Sequence, residues 1–196
     1  MNDIAQLSIK ILGQRLPTNI EHIYCFAHNI INIPCMINAL NLHTHNKNIV
    51  ILDNRKLMSG VLPSRDISRI YNDHGFKISM VPFNESFTSI NTRTESEAVI
   101  DWVIQNNIKQ LCITAPPYHI LRAFMTLNSV CIEKNINIKI YVINGVVENW
   151  NATTITHDGK TITSFENVIN MEFNRIQKYT VKGDIQPCNL IWDYIK

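Results

Sequence analysis

Residues 109–127 read KQLCITAPPYHILRAFMTL, and the fold follows from how this stretch is parsed. Leu111, Cys112 and Ile113 form a short apolar run bounded by turn chemistry. Behind the two prolines, Ile120, Leu121, Phe124, Met125 and Leu127 recur at helical spacing. The order is a buried strand, a proline-stiffened turn and a helix. In open α/β sheets such a junction, at the carboxyl end of a strand, is where ligands bind, and the first free N–H groups of the following helix attract anions. Tyr118, His119 and Arg122 stand there. His119 and Arg122 are three residues apart, so a helix starting near Pro117 places both on one face in its first turns.

Outward from this stretch, strand and helix alternate. Ile4, Leu7, Ile11 and Leu12 predict an amphipathic packing helix over 3–16, ended by Pro17. Residues 20–27 read as the first strand and 29–42 as its helix, with Pro34 near the start. NIVILD, 48–53, is a strand ending in a carboxylate, and Ser64 after Pro63 caps a helix that stops near Gly75. Residues 77–81 form the third strand, a helix runs from about Thr94 to Asn107 with Val99, Trp102 and Val103 in the core, and 136–143 make the fifth strand. Five strands separated by helices imply a parallel sheet with right-handed crossovers. The expected fold is one α/β domain over 1–196, a three-layer Rossmann-like sandwich with strand order 3-2-1-4-5. Period-two Thr and Ile around Asp158-Gly159 add a hairpin over 152–164, and a closing helix spans 165–179. The tail with Trp192 and Tyr194 packs back on the domain.

Bulk properties narrow the function. A formal net charge of +2, from 18 basic and 16 acidic residues in 196, creates no field that favours nucleic acid. The five cysteines lack any CxxC pairing and lie mostly in apolar segments, as reduced thiols of a cytoplasmic protein do. No apolar run approaches the ~18 to 20 residues of a membrane span, and the first residues lack the layout of a signal peptide. His43 and His45 alternate wrongly for two ligands on one helical face, and with His28 they are joined by no cysteine or carboxylate pattern, so no metal is expected. Neither a P-loop nor a G-x-S-x-G elbow is present.

Among the candidate site residues, Arg122 is the sharpest, because a guanidinium in the first turns of a helix opposes the helix dipole. A bound anion resolves that conflict; pairing with a loop carboxylate, or exposure to solvent, is the alternative. His119, with an ordinary pKa of ~6.5, suits an acid or base. Thr94 and Glu97 form a T-x-x-E capping box, with Thr92 and Glu95 as a second register, and Asn91 and Thr92 just before face the sheet edge. Asp53 ends the second strand, where nucleotide-binding folds set a carboxylate against ribose hydroxyls; a simple turn residue is the other reading.

The segment 91–98, NTRTESEA, one helix before Pro117-Tyr118-His119 and Arg122-Ala123, resembles the SanA/YdcF/ElyC-like family of bacterial proteins. In that family an Asn/Thr-rich segment opens one helix and a Thr-Ser-x-Tyr-His-x-x-Arg-Ala type motif follows the next strand. Asn91, Thr94, Tyr118, His119, Arg122 and Ala123 match, and Glu172, Arg175, Ile176 and Tyr179 look like the family's last helix. Ala27-His28-Asn29 stands where the family has a Gly-rich loop, and Ala115-Pro116 where it has Thr-Ser. Without an anchor, the chain looks like the soluble YdcF-like branch. The resemblance implies a Rossmann-like fold and binding of S-adenosylmethionine or another nucleotide-like ligand; it implies no known reaction.

The resulting expectation is a small anionic ligand held at the strand carboxyl ends. Arg122 and His119 grip its acid group, Tyr118, Asn91, Thr92, Thr94 and Glu97 lie around it, and Asp53 meets a sugar hydroxyl. Two alternatives stand beside it. One is a transferase or hydrolase of a phosphate or glycosyl bond with His119 as acid or base and Arg122 stabilising negative charge. The other is a noncatalytic protein whose hairpin edge serves self-association or a partner.

Overall fold

The apolar runs separate into five strands, β1 (Ile23–Cys25), β2 (Asn48–Leu52), β3 (Lys77–Val81), β4 (Gln110–Ala115) and β5 (Lys139–Asn144). The computed structural model describes residues 2–26, 30–54, 62–83, 89–147, 149–155 and 162–196. All five strands pair in parallel, in the order β3-β2-β1-β4-β5. That is the order of a Rossmann-like doubly wound sheet. Between the strands run α2 (Ile33–His43), α3 (Ser64–Asp73), α4 (Thr92–Gln105) and α5 (Ile120–Glu133).

Period-two alternation along the strands divides the core into two layers. Ile23, Cys25, Ile49, Ile51 and Cys112 cluster with Met36 and Leu40 of α2 and Ile67 of α3. Tyr24, Phe26, Val50, Leu52, Leu111 and Ile113 cluster instead with Val99 and Val103 of α4 and Phe124 and Leu127 of α5. Helices therefore cover both faces, which is why β4 is buried throughout after Gln110. Three further helices join the α4/α5 side: α1 (Asn2–Leu12) through Leu7 and Ile11, α6 (Phe165–Lys182) through Ile176, and α7 (Cys188–Tyr194) through Ile191.

Several boundaries differ from the sequence reading for identifiable reasons. β1 is shorter than 20–27, because the side chain of Asn46 donates to the carbonyls of Ile20 and Glu21 at 2.7 and 3.1 Å. β5 begins at Lys139 because the residues before it are bonded to α7. Tyr194 Oη donates to the Ile136 carbonyl at 2.6 Å and accepts from the Ile138 N–H at 3.2 Å. Ser64 does not cap α3. Pro63 is the cap residue, and Ser64 Oγ donates to the Asn54 carbonyl at 3.2 Å. The tail is helical, and α6 runs past Tyr179 until Gly183, at φ 88°, ends it in the left-handed conformation.

β6 (Thr153–Ile155) and β7 (Ile162–Ser164) pair antiparallel, as the alternating Thr and Ile predict; the Asp158-Gly159 turn and Ala27-His28-Asn29 lie outside the described residues. Gly145, just past β5, is required for close approach. A Cβ there would stand 2.8 Å from Pro117 Cδ and 3.0 Å from the Ala115 carbonyl oxygen. The exit of β5 thus passes directly beneath the β4–α5 turn. Among the described residues no helix is long and apolar enough to cross a membrane. All five cysteines are free thiols, and burial pushes Cys35, Cys112 and Cys131 up to about 12.

Candidate functional site at the strand carboxyl ends

The sequence candidates gather where β1, β2 and β4 run out and α4 and α5 begin. The start of α4 is fixed by Asn91. Its Oδ1 accepts from the N–H groups of Arg93 at 2.9 Å and Thr94 at 3.1 Å, while Thr94 Oγ1 accepts from the Asn91 N–H at 3.0 Å. The capping box is therefore Asn91 with Thr94, which corrects both the Thr94–Glu97 and the Thr92–Glu95 registers. Glu97 pairs with Arg93 Nε at 2.7 Å instead. Replacing Asn91 by alanine should cost about 1 kcal/mol and lower the melting temperature by roughly 3 °C. Calorimetry showing no shift would place the cap elsewhere.

Helix α5 begins later than expected, at Ile120, with His119 as its cap residue and Arg122 as the third helical residue. Arg122 is only 3% exposed. Its Nε donates to Glu172 Oε2 at 2.5 Å, Nη2 to Glu172 Oε1 at 3.3 Å and Nη1 to Thr92 Oγ1 at 2.7 Å. The ring of Tyr179 lies 5.8 Å from the guanidinium carbon. The anion that the first turn of α5 calls for is thus internal, a carboxylate fifty residues further along the chain.

Glu172 sits on α6 and is itself buried. It also accepts from Arg175 Nη1 at 2.5 Å and lies 3.3 Å from His119 Nδ1. Burial alone would raise its pKa, but the hydrogen bond from His119 and the charge of Arg122 outweigh it, so the carboxyl stays ionised well below the usual range. Burial, then the charge of Arg122, pushes His119 down to about 4 against the pull of Glu172. The imidazole is neutral at pH 7. An ionised Glu172 assigns its proton to Nδ1, leaving Nε2 as the basic nitrogen. With 1% exposure, His119 belongs to the interior.

Tyr118 is held by a second buried chain. Asn32 Nδ2 donates to Tyr118 Oη at 2.5 Å, and Thr154 Oγ1 of β6 donates to Asn32 Oδ1 at 3.0 Å. The hairpin is thereby tied to the entry of α2 and to the β4–α5 turn. Asp53 follows β2 directly. Its N–H bonds the Val81 carbonyl at 2.8 Å, and its Oδ1 accepts from Ser64 Oγ at 3.3 Å. The fold therefore brings His119 and Arg122 together on Glu172 with Thr92 on the far side of Arg122, leaves Tyr118 beside them in its own network, puts Asn91, Thr94 and Glu97 into the α4 cap and its surface ion pairs, and sets Asp53 against Ser64.

Two carboxylates complete the picture. Glu95 of α4 accepts from Tyr24 Oη at 2.7 Å, and burial pushes it up to about 7 against the lowering effects of Tyr24 and the Arg122 charge. Its signal in the sequence was its place beside the buried stripe Thr92, Ser96, Val99 and Val103. Glu172 likewise interrupts the stripe Phe165, Val168 and Ile176 at helical spacing, where a lone acid demands a partner. Among the described residues no group of three histidines, cysteines or carboxylates could hold a metal.

No family model and no curated protein matches the chain. Among solved structures, the crystal structure of pantothenate synthetase from Thermus thermophilus is similar over 84% of this chain and 65% of that one. The identity is 8% and the TM-score 0.40.

Proposed function

We propose that the protein binds a small nucleoside-like metabolite at the carboxyl ends of β1, β2 and β4, and that S-adenosylmethionine suits the site better than a nucleoside phosphate. Strand order supports the location. β1 lies between β2 and β4, so the connections run away from it in both directions, and ligands of open α/β sheets bind at such a switch point. Asp53 at the end of β2 occupies the position from which a carboxylate reaches ribose hydroxyls in such folds. The resemblance to SanA/YdcF/ElyC-like proteins, carried by Asn91, Thr94, Tyr118, His119, Arg122 and Ala123, points to the same ligand class.

The pairing of Arg122 carries the choice between ligands. Its charge is met by the Glu172 carboxylate and three of its five N–H donors are bound by Glu172 and Thr92, and the nearby described cations Arg93 and Arg175 are engaged by Glu97, Glu133 and Glu172. A phosphate brought to this edge would meet the carboxylate of Asp53 before it met an uncommitted cation among the described residues. A sulfonium would meet a charge that complements it.

Isothermal titration with S-adenosylmethionine and with ATP tests the reading. S-adenosylmethionine should bind at least about tenfold more tightly than ATP, and Asp53→Asn should weaken it by a further factor of about ten, or roughly 1.4 kcal/mol. Tighter binding of ATP, or full affinity in a folded Asp53→Asn variant, would refute it.

A further inference from the structure

We propose that a second site, a cleft between α1, α5 and α6, takes a small, neutral, mainly apolar molecule of about the size of one aromatic ring. The cavity measures about 270 Å³, just under the usual range for small-molecule pockets. Ile11 of α1, Ile120 and Leu121 of α5, and Ile169 and Ile176 of α6 line it. It opens beside Pro117, after β4, and Asn144, the last residue of β5. This places it at the carboxyl edge of the sheet, where α/β folds bind ligands. The mouth is apolar and wet. Leu12, Trp150 and Phe173 are 55, 43 and 44% exposed, so a seated ligand would remove apolar side chains from water at a point where the fold leaves them uncovered.

The polar groups of the cleft determine the ligand's charge. Glu172 contributes to the wall, but Arg122 approaches both of its oxygens, Arg175 bonds Oε1 and His119 lies against Oε2. A carboxylate with four such contacts, from three residues, has no acceptor capacity left for a ligand. Ser8 Oγ donates to the Ile4 carbonyl at 2.8 Å, and Tyr118 Oη accepts from Asn32. An ionised group buried in the depth of the cleft, away from its wet mouth, would find no uncommitted counter-charge among the lining residues, and burying an unpaired charge is costly. A neutral ring or short branched chain avoids that cost, and one hydroxyl or N–H can meet the exposed Asn144 amide at the mouth. This inference does not rest on the nucleoside reading, since the lining residues do not include Asp53, Glu95 or Arg122.

Benzyl alcohol and phenylacetate, titrated into the full chain and followed by nitrogen–proton correlation spectra, supply the test. Benzyl alcohol should produce saturable shifts of the Trp150 indole N–H and the Asn144 amide, with phenylacetate at least about tenfold weaker. Leu121→Trp fills the cleft from α5 and Ile169→Trp from α6, both at half-buried positions. Each should cut the benzyl alcohol affinity at least about tenfold, and either folded variant suffices. Three results would overturn the proposal. They are no saturable shift at Trp150 or Asn144, equal binding of the two probes, or light scattering that shows a second copy of the chain closing the cleft.

Discussion

Glu172→Ala should lower the unfolding free energy by about 3 to 5 kcal/mol, because it strips the counter-ion from a buried cation. Among the described residues Arg122 would keep Thr92 Oγ1, the ring of Tyr179 and the more distant Glu95, and His119 Nδ1 would lose Glu172. The melting temperature should fall by roughly 10 °C. The net worth of the pair itself is a different quantity. Exchanging both partners for apolar groups of similar length, Arg122→Met with Glu172→Met, should recover most of the loss, since desolvating two charges offsets much of their attraction. Arg175 is one-fifth exposed and can turn its charge to solvent in that background. Chemical denaturation of the three proteins checks the pattern. A single-variant loss below about 1 kcal/mol would show that Arg122 is not the buried, Glu172-dependent cation described above.

The second large effect depends on pH. Glu95 holds its proton up to about 7 in the folded chain, against an ordinary value of 4.5. A group whose pKa is raised on folding contributes stability that is fully present below the unfolded value and lost as pH rises through the folded one. Glu95→Gln fixes the neutral form and can still accept from Tyr24 Oη. The variant should match the parent near pH 4.5 and exceed it by about 2 to 3 kcal/mol at pH 8. His119 has the opposite sign. It is lowered from 6.5 to about 4, so the unfolded chain binds more protons between those values, and stability falls as pH drops through that window. Between about 5.5 and 6.5 the two slopes oppose each other and the parent should be nearly flat, whereas Glu95→Gln exposes the histidine slope, to which the lowered Glu172 adds as pH falls toward 4.5. Urea titrations at four pH values would show this. A parent-to-variant difference that stays constant with pH would show that the half-buried Glu95 carboxyl is not held neutral by its surroundings.

The candidate site was legible in position more than in wiring. Tyr118, His119, Arg122, Asn91 and Thr92 were all found from the strand–turn–helix pattern and a two-part motif, and all lie at the strand ends or the helix starts beside them. The cap of α4 was misplaced because Thr94 has two compatible partners, Asn91 before it and Glu97 after it. The choice depends on where the backbone turns extended, which happens at Asn91, at φ −146° and ψ 173°. The partner of Arg122 was not legible because a helix-start arginine signals only that an anion is needed. Whether a ligand or another helix brings that anion is a question about α6.

What the sequence determined by itself was every feature carried by short-range periodicity: five apolar runs with helices between them, hence a parallel sheet, and the alternating Thr/Ile pair of β6 and β7; the order 3-2-1-4-5, expected from the sequence, is set by which strands pair in space. Such patterns can be read locally because the solvent-facing and core-facing sides of one element repeat within a few residues. The tertiary structure decided which charges meet. Glu172 reaches Arg122 across fifty residues, and Tyr24 reaches Glu95 across seventy-one. The physical reason is that a buried charge takes its state from neighbours in space. Only packing α6 against α5, and α4 against β1, turns one glutamate into a fixed carboxylate and raises the pKa of the other.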